Sequence, residues 1–211
     1  MSTLTTVSSL SERQIQLLRL EYFTFALLPV LLIYLKIIPQ NWQYLFGALV
    51  TMSALSLFLI YRFIKKQQWS WQKVGFTLQL KKDFWLYGPV ILIGAILFFV
   101  APFVVDVKDG FNTNTTFWFT FVGSPLQELL YRVYLLTIGA LLFSPRVNFV
   151  ANVSMFAVMH VVYGDPEIVI PSVVFAGMMF TGLYMKSQNV ILISITHIVW
   201  NALAVYVGIF N

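Results

Sequence analysis

The sequence has no cysteine and few charged residues, and both shortages exclude classes of protein. Without cysteine, the 211-residue chain has no disulfide, no thiol nucleophile and no thiolate-bound metal. Charged residues make up 10% of the chain, against roughly 25% in a soluble domain, which is too few to cover a water-facing surface. Hydrophobic residues make up 59%, and the mean hydropathy is +0.83. This composition predicts an integral membrane protein.

Long apolar runs occupy most of the chain. A span needs about 20 mostly apolar residues, and we expect an all-α, polytopic transmembrane bundle of about seven helices. The predicted helices lie at 21–38, 41–64, 84–105, 117–143, 147–163, 168–186 and 190–209. Residues 1–20 are expected to form a cytosolic tail, and residues 21–211 are expected to form a single transmembrane domain.

The basic residues predict how the bundle is oriented. With the N-terminus inside, ten Lys and Arg residues fall on the cytoplasmic side and two, Lys36 and Lys108, fall outside. Acidic residues Asp106, Asp109, Asp165 and Glu167 fall outside. Such a bias favours an N-in, C-out protein, here in the plasma membrane of a prokaryote. The net charge of +5 is therefore a topology signal. It predicts contact with the lipid bilayer and no nucleic-acid partner.

The residues that are costly to place in a membrane all fall in the C-terminal half. They are Glu128 and Arg132 in the fourth predicted helix, His160 in the fifth, and His197 and Asn201 in the seventh. Each intramembrane charge costs about 2.5–3.5 kcal/mol unless it finds a partner or a wet cavity. At about 1.5 Å per residue, His160, Asn201 and Glu128 lie roughly 16–20 Å deep. The similar depths predict one shared polar cavity, although a lone span histidine more often only bonds a neighbouring helix.

The fourth predicted helix is long and is interrupted at Gly123-Ser124-Pro125. Ser, Pro and Gln at successive cap positions are typical of a helix start, so the helix could restart inside the membrane with its amides facing the cavity. The other interpretation is a proline kink in one continuous helix. The sequence favours neither.

Three spaced motifs give the chain a family resemblance. They are Gln127-Glu128-x-x-x-Arg132, Phe156-x-x-x-His160 and His197-x-x-x-Asn201. In order, spacing and placement on separate helices, they resemble the Glu-Glu-x-x-x-Arg, Phe-x-x-x-His and His-x-x-x-Asn motifs of the CAAX prenyl protease and bacteriocin-processing (CPBP, or Abi) intramembrane proteases. The resemblance covers about residues 120–210.

That resemblance implies peptide-bond hydrolysis in the membrane, on a membrane-embedded or membrane-docked peptide or protein substrate. It implies that the first glutamate of the motif, at position 127, and His160 activate a water. It places His197 and Asn201 as oxyanion donors, and Glu128 with Arg132 as a structural ion pair. Glutamate and histidine side chains can bind zinc, but asparagine is a poor zinc ligand and a good oxyanion donor. We expect no metal and no other cofactor.

The chain departs from the family pattern at Gln127, which replaces the first glutamate. An amide holds a water by hydrogen bonds but accepts no proton. Three explanations stay open. The glutamine could be an inactivating substitution in an active protease, or the chain could be a natural non-catalytic relative. The third is a rearranged site, with His160 as base and Glu128 recruited. The non-enzymatic interpretation is a peptide-binding immunity or regulatory factor, or a small transporter, but we find no internal repeat of the transporter kind.

Overall fold

The computed structural model describes residues 10–35, 37, 42–105, 117–160 and 166–209. Within these residues every long element is a helix, so the all-α prediction is confirmed. We number seven helices in chain order: α1 Glu12–Tyr34, α2 Trp42–Gln67, α3 Leu80–Val100, α4 at residues 118–142, α5 Pro145–His160, α6 Pro166–Ser187 and α7 Val190–Tyr206. Residues Lys36, Lys108, Asp106, Asp109 and Asp165, which entered the orientation argument, lie outside the described residues.

Four of the described helices are long and apolar enough to cross a membrane, counted by length and composition. The candidate stretches are Glu12–Leu32 in α1, Tyr44–Gln67 in α2, Leu80–Phe103, which runs from α3 into the 3₁₀ turn after it, and Pro166–Ser187 in α6. Helix α7 is apolar but has 17 residues, and α5 has 16 residues. The seven predicted helices are therefore present in order, whereas seven complete spans and the N-in orientation stay predictions.

Helix α1 begins inside the predicted tail, at Glu12 and not near residue 21. Ser11 precedes it as a cap: its Oγ accepts a hydrogen bond from the Gln14 backbone N–H at 3.3 Å. In return the Gln14 side chain accepts from the Ser11 N–H at 2.8 Å. This is a capping box, and it stabilises a helix start ahead of the apolar run.

Helix α4 is continuous through Ser124, so of the two interpretations left open by the sequence, the helix that restarts inside the membrane is not the one observed. Gly123 (φ −62°, ψ −44°) and Ser124 (φ −59°, ψ −50°) are both right-handed helical, and neither gives a side-chain cap. The Ser124 hydroxyl instead accepts a hydrogen bond from Asn201 at 2.9 Å. Pro125 is accommodated because the turns before it, Trp118–Gly123, are widened to a π-helix. No helix N-terminus points into the membrane at this place.

A second π-helical stretch, Leu129–Leu136, follows the short α-helical segment Ser124–Glu128. Side chains from neighbouring helices bond backbone carbonyls of α4 across its length. Ser53 on α2 donates to Leu126 O at 2.9 Å, Asn152 on α5 donates to Tyr131 O at 2.7 Å, and Asn148 donates to Leu136 O at 2.9 Å. In lipid, every backbone polar group must be satisfied inside the protein. These three donors therefore stabilise the widened helix that carries Glu128 and Arg132.

Helix α4 lies at the centre of the bundle, with α2, α5 and α7 against it. Helix α5 packs along α6, and α3 packs along α7. The α3–α7 packing is close at Gly94, where an added Cβ would lie 3.1 Å from Trp200 Nε1. Trp200 Nε1 also donates to Val90 O on α3 at 3.3 Å. Helices α3 to α7 thus form the body that positions the polar residues.

The basic loop between α2 and α3 folds onto the α6–α7 turn. A short 3₁₀ turn at Trp71–Val74 ends at Gly75, whose φ of +98° is left-handed and favours glycine. Gly75 O accepts from the Val190 N–H at 2.9 Å, and Tyr184 OH donates to Val74 O at 2.8 Å. The loop is therefore held against the protein at Val74, which is buried, while Trp71 is 41% exposed.

Candidate active site

A cavity of about 620 Å³ lies between α3, α5, α6 and α7, and three residues of the predicted site line it: His160, His197 and Asn201. The rest of its wall is almost entirely apolar, with Leu97, Val100, Phe175, Phe180 and Trp200 among the lining residues. The sequence predicts that Glu128 and Arg132 share one cavity with these polar side chains. In the structure His160, His197 and Asn201 line the cavity together, whereas Glu128 and Arg132 are not among its lining residues. A pocket of this size with a few converging polar groups is typical of a binding or catalytic site.

Glu128 is not among the residues that line the cavity; it makes a hydrogen bond to one of the other site residues and an ion pair with another. Its Oε1 is 2.7 Å from His197 Nδ1, and its Oε2 is 3.4 Å from Arg132 Nε. The Glu128 and Arg132 side chains are fully buried and His197 is 1% exposed. The expected Glu128–Arg132 ion pair is present. The Glu128–His197 hydrogen bond was not expected, and it connects α4 to α7 at the site.

Hydrogen-bond chemistry assigns the tautomers of the two histidines. His160 Nδ1 lies 2.6 Å from Phe156 O, and a carbonyl oxygen only accepts, so Nδ1 carries the proton. His197 Nδ1 faces the Glu128 carboxylate, which is paired with the Arg132 guanidinium and in that pair also only accepts. In the neutral form of each ring, Nε2 is then the accepting nitrogen. The site thus presents two imidazoles in the same neutral tautomer, each with an accepting Nε2.

Asn201 is fixed by α4. Its Nδ2 donates to Ser124 Oγ at 2.9 Å, and it is buried with 5% exposure. One of the two hydrogens on Nδ2 is used in this bond, so a second N–H remains to donate. Since Asn201 also lines the cavity, that N–H is suited to stabilise a developing oxyanion. The hydrogen bond by which Ser124 holds Asn201 could not be predicted from the sequence, in which Ser124 has the features of a helix cap.

Phe156 is the common packing partner of the charged and titratable groups. The centroid of its ring is 4.2 Å from that of His160 and 5.6 Å from that of His197. The Arg132 guanidinium lies over the same ring, with Cζ 4.7 Å from the centroid. The Phe180 ring also packs on His197, and the centroids of these two rings are 4.7 Å apart. The first residue of the Phe-x-x-x-His motif therefore orients both histidines and shields Arg132. Phe180 carries no motif signal and was missed.

Gln127 is placed differently from the rest of the predicted site. It is buried, with 3% exposure, but it is not among the residues that line the cavity. Its Oε1 has no hydrogen-bond partner within the described part of the chain. Gln127 is therefore next to the site in sequence but, in this arrangement, does not face the space that His160, His197 and Asn201 share.

Few side chains at the site could bind a metal ion. His160 and His197 both line the cavity, but the Glu128 carboxylate is already engaged by His197 and Arg132. Across residues 10–35, 37, 42–105, 117–160 and 166–209, no group of three His, Cys, Asp or Glu side chains is arranged to hold a metal ion. The described residues therefore assign no chemical step to a metal ion.

Together the fold and the site define a helical membrane protein with a buried Glu–Arg–His–His–Asn centre that opens on an apolar cavity. The family model for type II CAAX prenyl endopeptidase, Rce1-like, matches residues 89–203, which is more than half of the chain. The chain belongs to the Rce1-like family of type II CAAX prenyl endopeptidases, which are intramembrane proteases. Comparison with curated proteins and with solved structures found no match. The family assignment agrees with the resemblance of the three motifs.

Proposed function

We propose that this protein is an intramembrane endopeptidase that hydrolyses a bond of a membrane-embedded or membrane-docked peptide or protein with an activated water. One observation carries the proposal: His160, His197 and Asn201 come from two helices to line the same cavity. Peptide hydrolysis needs a proton acceptor for water and a donor for the oxyanion. Imidazole Nε2 atoms and an amide N–H supply both kinds of group here.

The apolar wall of the cavity supports a substrate that arrives from the bilayer. Leu97, Val100 and Phe175 would cover apolar parts of such a substrate, and Asn201 and the histidines would meet its peptide bond. The distribution of Lys and Arg supports an N-in, C-out placement in a prokaryotic plasma membrane. We propose that no metal or other cofactor takes part, with His160, His197 and Asn201 as the catalytic residues.

The position of the missing family glutamate gives the first test. By the route that the resemblance implies, Gln127 leaves the chain without its base, and the chain is then inactive. Gln127→Glu in the full-length protein should yield cleavage of peptides of randomised sequence anchored in phosphatidylcholine vesicles, detected by mass spectrometry. Adding His160→Ala or His197→Ala should abolish that cleavage. If neither the wild type nor Gln127→Glu cleaves any peptide, the endopeptidase proposal is wrong.

A second candidate function is a non-catalytic family relative that binds a membrane peptide as an immunity or regulatory protein. Gln127 itself favours it, because an amide keeps the shape of the family's glutamate but not its proton chemistry. This candidate predicts that anchored peptides bind to the wild type, that His160→Ala weakens the binding, and that Gln127→Glu restores no cleavage. Cleavage by the wild type would exclude it.

A further inference from the structure

We propose that Glu128 and His197 form the base of this site: His197 Nε2 takes the proton from the attacking water, and Glu128 positions His197. The inference rests on the endopeptidase function proposed above. It makes His197 the residue that activates the water, whereas the resemblance gives that role to position 127 together with His160. It makes Glu128 a positioning residue, beyond its ion pair with Arg132.

The charge state of Glu128 is the first step. Arg132 is always protonated, lies 3.4 Å from Glu128 Oε2, and is buried with it at 0% exposure. An unpaired guanidinium would be very costly there, so Glu128 is ionised. An ionised carboxylate has no hydrogen to give, and the 2.7 Å contact with His197 Nδ1 therefore takes its hydrogen from the histidine.

The second step concerns the other nitrogen of His197. With Nδ1 protonated, a neutral ring has a lone pair at Nε2 and cannot donate from it to an oxyanion. Charging the ring in the resting protein would leave a net positive charge buried, because Glu128 and Arg132 already neutralise each other. Nε2 has no hydrogen-bond partner within the described residues, and His197 lines the cavity. In this arrangement His197 is an acceptor.

The two histidines differ in what stabilises their protonated form. When His197 gains a proton, the Glu128 carboxylate bonded to Nδ1 offsets the new charge directly. At His160 the 2.6 Å contact of Nδ1 is with a neutral group, the Phe156 carbonyl, and not with a carboxylate. A carboxylate that holds a histidine in one tautomer and stabilises its imidazolium is the arrangement of a catalytic His–acid pair. His197 is therefore the better placed base, and Gln127 is not needed for this step.

The reaction balances with these groups. His197 Nε2 accepts a proton from water as the water oxygen bonds to the peptide carbonyl carbon, and the second N–H of Asn201 donates to the oxyanion that forms. The imidazolium then returns its proton to the amide nitrogen as the C–N bond breaks. The products are one carboxylic acid and one amine, and His197 is neutral again. The positive charge on His197 and the negative oxyanion form and disappear together.

The test compares carboxylate-to-amide changes at two places in the full-length protein. Glu128→Gln removes the charge beside His197, while Asp83→Asn makes the same change at a hydrogen bond to Asn189 (2.9 Å) that is outside the cavity. With anchored peptides in vesicles, the wild type should cleave. Glu128→Gln should lower kcat about 100-fold or more at similar KM. Asp83→Asn should change kcat little, and Glu128→Asp should restore part of the loss.

A second measurement holds even if Glu128→Gln fails to fold. The chain has two histidines, so ¹⁵N NMR of the histidine-labelled wild type, assigned with His160→Gln, reads the tautomer of His197. We expect Nδ1–H. An Nε2–H tautomer at His197, or an unchanged kcat in Glu128→Gln, would overturn the inference. Cleavage by Gln127→Glu without cleavage by the wild type would overturn it too and leave the endopeptidase function standing. If neither the wild type nor any variant cleaves, both the endopeptidase function and the role proposed for His197 are wrong.

Discussion

The two halves of the molecule meet their surroundings differently. In the candidate spans of α1, α2 and α3, between 17% and 24% of the residues are buried inside the protein, against 39% in α6. Within the described residues, the buried polar side chains of α1 to α3 are two serines, Ser53 and Ser56, whereas α4 to α7 bury a long set of polar groups. The set includes Gln127, Glu128, Arg132, Asn148, Asn152, His160, Thr181, His197 and Asn201.

The difference shows where each half gets its stability. Helices α1 to α3 expose large apolar side chains such as Phe58, Phe84 and Phe99, which suits contact with lipid. Helices α4 to α7 instead need polar partners for their buried groups, since an unsatisfied polar group in hydrocarbon costs several kcal/mol. The candidate catalytic side chains His160, His197 and Asn201 all lie in the half that carries this polar centre.

Helix α3 is where the comparison is least sharp. It carries none of the polar residues that the sequence predicts for the site, but Leu97, Val100 and Ala101, within and just after it, line the cavity. The family match also begins within this helix, at residue 89. The boundary between scaffold and site therefore lies inside α3, and the scaffold proper is α1 and α2.

The largest effect on stability is expected from removing a buried charge. Arg132→Met leaves the Glu128 carboxylate without its counter-charge inside the bundle. We expect a loss of about 3–5 kcal/mol in the free energy of unfolding, measured by denaturant titration in mixed micelles. The matched change Arg62→Met affects an exposed side chain of α2, whose Cζ lies 5.9 Å from the centroid of the Phe58 ring. It should cost less than about 1 kcal/mol. Equal losses of unfolding free energy would contradict the statement that the C-terminal half depends on its buried polar partners more than the N-terminal half does.

A pair of glycines in α6 should separate packing at the site from packing elsewhere. At Gly177 an added Cβ would lie 3.2 Å from Phe156 Cδ1, whereas at Gly182 nothing lies within 4 Å. Gly177→Leu should push Phe156 off the histidines, with a loss of about 1–3 kcal/mol and of cleavage. Gly182→Leu should leave both near wild type. Circular dichroism melts and the vesicle assay measure the two quantities, and a harmless Gly177→Leu would contradict the close packing.

A smaller effect is expected at the side chains that support α4. Asn152→Ala removes the donor to Tyr131 O and the acceptor for Thr181, a hydrogen bond of 3.1 Å. The expected loss is about 1–2 kcal/mol, because two buried groups lose their partner. Thr51→Ala removes an exposed hydrogen bond from Oγ1 to Gly47 O within α2 and should cost below about 0.5 kcal/mol. The same unfolding titration compares them, and a reversed order would mean that α4 does not depend on α5.

Much of this architecture could be predicted from the sequence. Apolar runs gave the seven helices in order, because span length is dictated by the bilayer. The similar depths of His160, Asn201 and Glu128 predicted a shared cavity, and His160 and Asn201 do line one, whereas Glu128 does not. The start of α1 was also predictable in principle, from Ser11 and Gln14, but the apolar run that begins near residue 21 outweighed that cap signal.

Contacts between distant helices could not be predicted. From the sequence, Arg132 at i+4 already accounts for the charge of Glu128. The residues near Glu128 in the chain do not indicate that its other carboxylate oxygen bonds His197 on a different helix. In the same way Ser124 looked like a cap, because its bond to Asn201 depends on how α7 packs. The π-helical turns of α4 are stabilised by donors on α2 and α5, and so they depend on tertiary structure.

The central claim is that the polar centre of the C-terminal half hydrolyses peptide bonds with water. The most direct measurement is cleavage of vesicle-anchored peptides in H₂¹⁸O by the full-length wild type and Gln127→Glu, followed by mass spectrometry of the new carboxyl ends. We predict one ¹⁸O per new carboxyl end with both proteins, and none after His197→Asn. Absence of labelled product from the wild type and from Gln127→Glu would contradict the claim.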